Sequence, residues 1–189
     1  MTKKFDIRRD LFEWAQALVA AMIIFGLLFT FGARVIGVQG TSMDDTLHTG
    51  DKLLISNVGY TPQRGDVIMF TKRGVEIPGH GKGNPLVKRV MAVAGDTIDV
   101  NADTHEVIVN GVVLEESKYI HDPVSVAFST YLPLTVPEGY IFAMGDNRNV
   151  SMDSRDSRVG LIDTREVLGH VLTRVLPFGA FGPIYEPEF

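Results

Sequence analysis

The amino-acid sequence predicts an all-β domain of sandwich or barrel type, carried on a single N-terminal transmembrane helix. Three observations lead there. Residues Trp14 to Ala33 carry no formal charge, and after Val38 the helical pattern gives way to short apolar runs. Those runs are in turn divided by turns rich in Gly, Pro and Asn. The implied organisation is a cytoplasmic N-terminus at 1–13, a membrane anchor at 14–37 and an extracytoplasmic domain at 38–189.

The anchor comes first. Its twenty charge-free residues, at about 1.5 Å rise each, match the roughly 30 Å hydrocarbon core of a bilayer. Gln16 and Thr30 are its main polar interruptions, and apolar character on all faces favours lipid over a one-sided soluble core. Lys3, Lys4, Arg8 and Arg9 precede it and only Arg34 follows closely, which keeps the N-terminus cytoplasmic. A cleaved secretory signal is the competing reading, but its apolar region is usually about 7–15 residues. This segment is longer, and no good small-x-small cleavage site stands before Ser42.

The β elements follow in order. Lys52 to Val58 is a short apolar run closed by the turn at Tyr60 to Gly65, and Asp66 to Phe70 is the next strand. Gly74 to Pro85, with four glycines and two prolines, reads as a surface loop. Leu86 to Ala94 is again strand-like. Thr97 to Val100 and Glu106 to Val109 form a hairpin, and Asn110-Gly111 supplies a type I′ turn before Val112 to Leu114. Residues 115–133 read as an irregular excursion from the sheet. Tyr140 to Met144 and Glu166 to Leu176 complete the strands, and Pro177, Pro183 and Pro187 exclude a second spanning helix.

Composition removes several function classes. The net charge is −5 and there is no basic stripe, which argues against a nucleic-acid partner. The mean hydropathy of +0.12 becomes that of an ordinary soluble chain once the first forty residues are set aside. Cysteine is absent, so a disulfide framework, a thiolate nucleophile and a Cys-based zinc site are excluded. His48, His80, His105, His121 and His170 show no metal-ligand spacing, and neither a metal nor another cofactor is expected.

Ser42 lies just beyond the anchor. A serine hydroxyl needs a base to become a nucleophile, and no histidine here has the local context of a triad. A lysine can serve if it is neutral. From a reference pKa of about 10.4, half neutralisation near pH 7.4 requires a drop of roughly three units, or about 4 kcal/mol, met mainly by apolar burial. Lys88 sits inside the Leu86 to Ala94 run, where strand alternation would turn it inward and Arg89 outward. Most lysines in strands are solvated, so these residues alone leave Lys88 a suggestion.

Four segments in order sharpen it. They are Gly40-Thr41-Ser42-Met43-x-x-Thr46-Leu47, Arg64-Gly65-Asp66-Val67, Val87-Lys88-Arg89-Val90, and Gly145-Asp146-Asn147-Arg148-Asn149-x-Ser151-x-Asp153-Ser154-Arg155. Together they resemble the bacterial type I signal peptidases from the anchor to Leu176. The resemblance implies a Ser-Lys endopeptidase that removes signal peptides from exported preproteins at the outer face of the cytoplasmic membrane. It implies Ser42 as nucleophile, Lys88 as general base and Ser151 as the hydroxyl that orients the lysine amine. Asp153 and Arg155 match a charged pair that holds the site, Arg89 the basic residue after the lysine, and Gly145 to Arg148 the supporting turn. Met43 is expected to pack beside the nucleophile.

Two departures stand out: Asp45 occupies a position where the family commonly has proline, and Asn149 one where it has aspartate. Gly40 stands where some members carry a serine that donates to the oxyanion, so the hole relies on the Ser42 N–H with a water or another group as the open second donor. The expected partners are preproteins and the lipid bilayer, with the chain a monomer. A self-cleaving Ser-Lys regulator and a catalytically inactive, membrane-tethered binding protein are the rival readings. The anchor, the absence of a DNA-binding segment and the intact Ser42, Lys88 and Ser151 count against them.

Overall fold

A computed structural model describes residues 7–27, 32–44, 46–72, 76–77, 81–82, 85–101, 103–120, 122–125 and 130–187. Helix α1 runs Ile7–Leu27, beginning well before Trp14. Charged residues are no obstacle to helix in its first turns, where Arg9 and Glu13 pair one turn apart at 2.9 Å. Among the described residues no helix is long and apolar enough to cross a membrane. Positions 28–31 of the expected anchor, and Lys3 and Lys4, lie outside the described residues.

The rest is β structure. A seven-stranded antiparallel sheet contains β1 (Arg34–Gly37), β2 (Lys52–Ser56), β3 (Val67–Phe70) and β6 (Leu86–Ala92), together with β11 (Tyr140–Met144), β12 (Ile162–Asp163) and β13 (Val167–Leu176). Their spatial order is β1-β2-β13-β3-β6-β11-β12. A four-stranded sheet, in the order β10-β7-β8-β9, is made of β7 (Thr97–Val100), β8 (Val107–Val109), β9 (Val112–Val113) and β10 (Leu134–Thr135). Asn110 and Gly111 both adopt positive φ, 53° and 81°, as the type I′ turn between β8 and β9 requires.

The expected loop at Gly74 to Pro85 holds a small hairpin of β4 (Glu76–Ile77) and β5 (Gly81–Lys82), with Glu76 paired to Lys82. Two-residue strands are too short to show a period, which is why sequence pattern misses them.

Strand β6 is the centre of the fold. All seven of its residues are buried, because β3 and β11 flank it and apolar clusters cover both faces. Leu86 and Val90 pack with Ile68, Phe70 and Ile162. Val87 packs with Met43, Leu47 and Val67, while Met91 and Ala92 join the cluster beneath the smaller sheet. The alternation that would expose Arg89 therefore fails: Lys88 is 1% exposed and Arg89 0%. With no solvent face on β6, both residues are inside.

The excursion at 115–133 contains no strand or helix among its described residues and is stitched to the Gly145–Arg155 segment. Asn149 donates to the Pro123 carbonyl at 3.1 Å and accepts from the Ser125 N–H at 2.8 Å. Thr130 donates from its N–H to the Arg155 carbonyl and from its hydroxyl to the Ser154 carbonyl. Residues 183–187 cross back over the sheet, where Gly65, at φ 91°, faces the Pro187 carbonyl so closely that a Cβ would collide with it. Substituting Gly65→Ala combines that clash with a left-handed backbone. It is expected to cost about 2 kcal/mol or more of unfolding free energy, read from denaturant titration.

Candidate active site

Ser42 lies in the loop between β1 and β2, which is closed by Val38 N–H to Asp51 carbonyl and Gly50 N–H to Val38 carbonyl bonds. Within the loop, the Leu47 N–H reaches the Met43 carbonyl at 2.8 Å, giving a single helical turn. Met43 and Leu47 are the apolar feet of that turn, sunk into the core at 2% and 0% exposure. They leave Ser42 half-buried on its rim.

A second wall fixes the turn. The Asn147 N–H donates to the Ser42 carbonyl at 3.1 Å and its side-chain amide to the Thr41 carbonyl at 3.0 Å. Gly145 sits between Ser42 and Ser151, and a Cβ there would collide with both. Only glycine permits this approach.

Lys88 reaches into the same place from β6. Its Nζ donates to Ser42 Oγ at 2.5 Å and to the Val87 carbonyl at 2.8 Å. Burial pushes the Lys88 amine down to about 8, against the opposing pull of the Asp153 and Asp146 carboxylates and with some help from Arg155. The Ser151 hydroxyl oxygen is buried near Gly145 and makes no hydrogen bond to Lys88. The Val87 carbonyl is the amine's second partner instead.

Three buried carboxylate–guanidinium pairs surround this dyad. Asp153 binds Arg155 Nε and Nη2, each at 2.7 Å, and also accepts the Gly145 N–H at 2.8 Å. Burial raises the Asp153 carboxyl, but the hydrogen bonds and charge of Arg155 outweigh it and hold the group below its usual range. Arg89 and Asp146, both 0% exposed, form a two-pronged pair at 2.9 and 2.7 Å. Asp146 also accepts the Thr46 hydroxyl at 2.6 Å, joining the serine turn to the strand that bears the lysine. Arg148 pairs with Glu116 at 2.6 and 2.5 Å.

Glu116, Tyr119 and Thr46 were not singled out by sequence reasoning. Thr46 falls inside a recognised motif, whereas Glu116 and Tyr119 lie in an irregular segment whose only signal is an acid and an aromatic without periodicity.

Beside Ser42 is a cleft of about 220 Å³, lined by Gly37 to Gly40 on one side and Pro85 to Val87 on the other, with Met43 and Met69 at its floor. Both sides offer backbone. Among the described residues strand β1 pairs only with β2. Strand β6 pairs with β11 only from Arg89 onward, so among the described residues 86–88 have no strand on that edge.

The described residues hold one group with the donor set of a metal site, Asp66, His170 and Glu186, whose ligand atoms lie within 4.8 Å of one another. These groups satisfy each other. His170 Nε2 meets Glu186 Oε1 at 2.6 Å, its ring stacks on Tyr60 at 5.0 Å, and Asp66 Oδ2 accepts Tyr60 and the Gln63 N–H. The cluster tethers residues 183–187 to the sheet, away from Ser42.

The family model described as signal peptidase, peptidase S26, matches residues 11–176. A signal peptidase I of Bacillus licheniformis is 36% identical over 185 residues, covering 93% of this chain and 94% of the relative. A probable signal peptidase I-1 of Synechocystis is 33% identical over 174 residues, covering 88% and 83%. A crystal structure of a signal peptidase I from Enterococcus faecalis V583 aligns with a TM-score of 0.43 at 29% identity, covering 59% of this chain and 97% of that one.

The buried amine has a measurable energetic signature. Because its folded pKa of about 8 lies below the ordinary lysine value of 10.5, Lys88 destabilises the fold. That penalty is fully present below pH 8 and is relieved as pH rises through 10.5. Lys88→Met should therefore raise unfolding free energy at pH 7 by up to about 3 kcal/mol. The gain should shrink towards zero near pH 10.5, as followed by denaturant titration at both pH values.

Proposed function

The chain belongs to the peptidase S26 family of signal peptidases, and we propose that it is a membrane-anchored serine endopeptidase that removes signal peptides from exported preproteins. Ser42 is the nucleophile and neutral Lys88 the general base in this reading. One observation carries it: a fully buried lysine amine, held near neutrality by its surroundings, lies 2.5 Å from a serine hydroxyl beside an open cleft.

The chemistry follows from that contact. Neutral Lys88 takes the Ser42 proton as Oγ attacks the scissile carbonyl, and the oxyanion is met by the Ser42 N–H. The Lys88 ammonium then protonates the departing amine, leaving an acyl-enzyme and a neutral lysine. Lys88 next removes a proton from water, which attacks the ester, and the resulting ammonium returns that proton to Ser42 Oγ as it departs. Substrate enters as an extended strand between Gly37 to Gly40 and Pro85 to Val87, by β-augmentation. The small cleft volume favours alanine-sized residues beside the cleaved bond, in keeping with the A-x-A pattern at which secretory signals end.

The same reading makes the segment from Trp14 to Ala33 a bilayer anchor, with the N-terminus cytoplasmic and residues 38–189 outside. Support comes from its charge-free composition and the basic residues that precede it. Such an anchor holds the cleft at the depth where a signal helix ends, raising effective concentration without new contacts. The Asp153–Arg155 pair and the Gly145 approach serve to keep the serine turn in place.

In a preprotein cleavage assay with the full chain in membranes, Ser42→Ala and Lys88→Ala should each abolish processing while leaving the fold intact. Retention of wild-type turnover by Lys88→Ala would remove the dyad from the mechanism. Because the base must be unprotonated, kcat/KM should rise with pH through about 8 and level off above it. A phenylalanine in place of alanine at the substrate's −1 position should block cleavage, and equal processing of the two substrates would refute the small pocket.

A further inference from the structure

Glu116 and Tyr119 lie in the irregular segment after β9, yet they are 7% and 5% exposed and sit at the head of two chains of contacts that converge on the dyad. The first chain starts at the Tyr119 ring, which covers the face of the Arg89 guanidinium at 4.4 Å. Arg89 has its remaining directions filled: Nε and Nη2 hold Asp146, and Nη1 donates to the Gly65 and Tyr185 carbonyls. Asp146 then holds Thr46, three residues past Met43 in the serine turn. The second chain starts at Glu116, whose carboxylate takes both prongs of Arg148. Arg148 Nε donates to the Gly145 carbonyl at 3.0 Å, and Gly145 is the residue pressed against Ser42. The Tyr119 hydroxyl donates to Glu116 at 2.8 Å, and the Tyr119 ring also lies 5.9 Å from the Arg148 guanidinium, so the two chains share one root.

Resting on the proposed Ser-Lys mechanism, we infer that Tyr119 and Glu116 are positioning residues for the dyad. Between them they hold Arg89 against Asp146 and Arg148 against Gly145, and so set the separation of the serine turn from β6. Stability alone does not call for this arrangement, because buried ion pairs are often matched or exceeded by well-packed apolar groups of similar volume. What the arrangement supplies is direction: planar guanidiniums fixed at their edges by carboxylates and, for Arg89, on a face by an aromatic ring. Loss of the Tyr119 ring frees Arg89 to tilt from Asp146. The exposed carboxylate then holds the Lys88 proton more firmly while Thr46 loses its fixed acceptor.

The test uses the full chain in detergent micelles, a synthetic peptide with an A-x-A site, and NMR titration of lysine labelled with ¹³C at Cε, the Lys88 signal being assigned by its loss in Lys88→Ala. Tyr119→Phe keeps the ring and should stay within about twofold of wild-type kcat. Tyr119→Leu should lose about tenfold or more in kcat with KM within about twofold, and the Lys88 midpoint should move to higher pH. Glu116→Gln keeps the shape and should lower kcat several-fold, which decides the matter should Tyr119→Leu fail to fold. The inference falls if the folded variants keep both the wild-type kcat and the wild-type Lys88 midpoint, or if their lost activity equals the lost folded fraction measured by circular dichroism. A wild-type chain that leaves the peptide uncut while the variants still move the Lys88 midpoint would overturn the proposed function and leave the inference standing.

Discussion

Keeping one lysine amine dry is the constraint on which the rest of this structure depends. Ammonium is strongly hydrated, and the amine of Lys88 approaches neutrality near physiological pH only because protein replaces water around it. Nearby carboxylates work against that, since each uncompensated negative charge pulls the proton back. The fold answers by giving each of Asp146, Asp153 and Glu116 its own guanidinium, from Arg89, Arg155 and Arg148. The pairs lie buried around the dyad and leave it close to electrically balanced.

The same requirement explains why the lysine belongs on β6 rather than on a loop. A strand with apolar clusters on both faces can bury two consecutive ionisable residues with opposite assignments, Lys88 where β6 pairs with β3 alone and Arg89 where β11 joins it. One has its pKa lowered by burial to about 8 and is placed beside Ser42. The other directs each of its three guanidinium nitrogens to an acceptor within the protein. The cost of burying both is borne by the apolar clusters on either side, in which Leu86, Val90 and Val87 take part.

Much of this was legible in the sequence because Ser42 and Lys88 sit in contiguous motifs. Ser42 and Lys88 meet as the motifs imply, and Asp153 with Arg155 forms the expected pair. Arg89 was misplaced by strand alternation, which assumes a solvent face that a central strand does not have. Glu116 and Tyr119 escaped notice because their partners lie far away along the chain, in segments that only tertiary packing brings together. The Ser151 hydroxyl is marked by its motif position and lies buried beside Gly145, while the second hydrogen bond of the Lys88 amine goes to the Val87 carbonyl. Asn149, a departure in the motif, proves to hold the excursion through Pro123 and Ser125.

The cleft beside Ser42 is walled by backbone on both sides, and that has a consequence for what can enter. Bare strand edges invite other sheets to dock, a hazard that proteins limit by keeping such edges short or interrupted. Here β1 offers four residues, and the free edge of β6 is only residues 86–88, preceded by Pro85, which has no N–H to offer. Edges this short give the sheet of another molecule little backbone on which to extend.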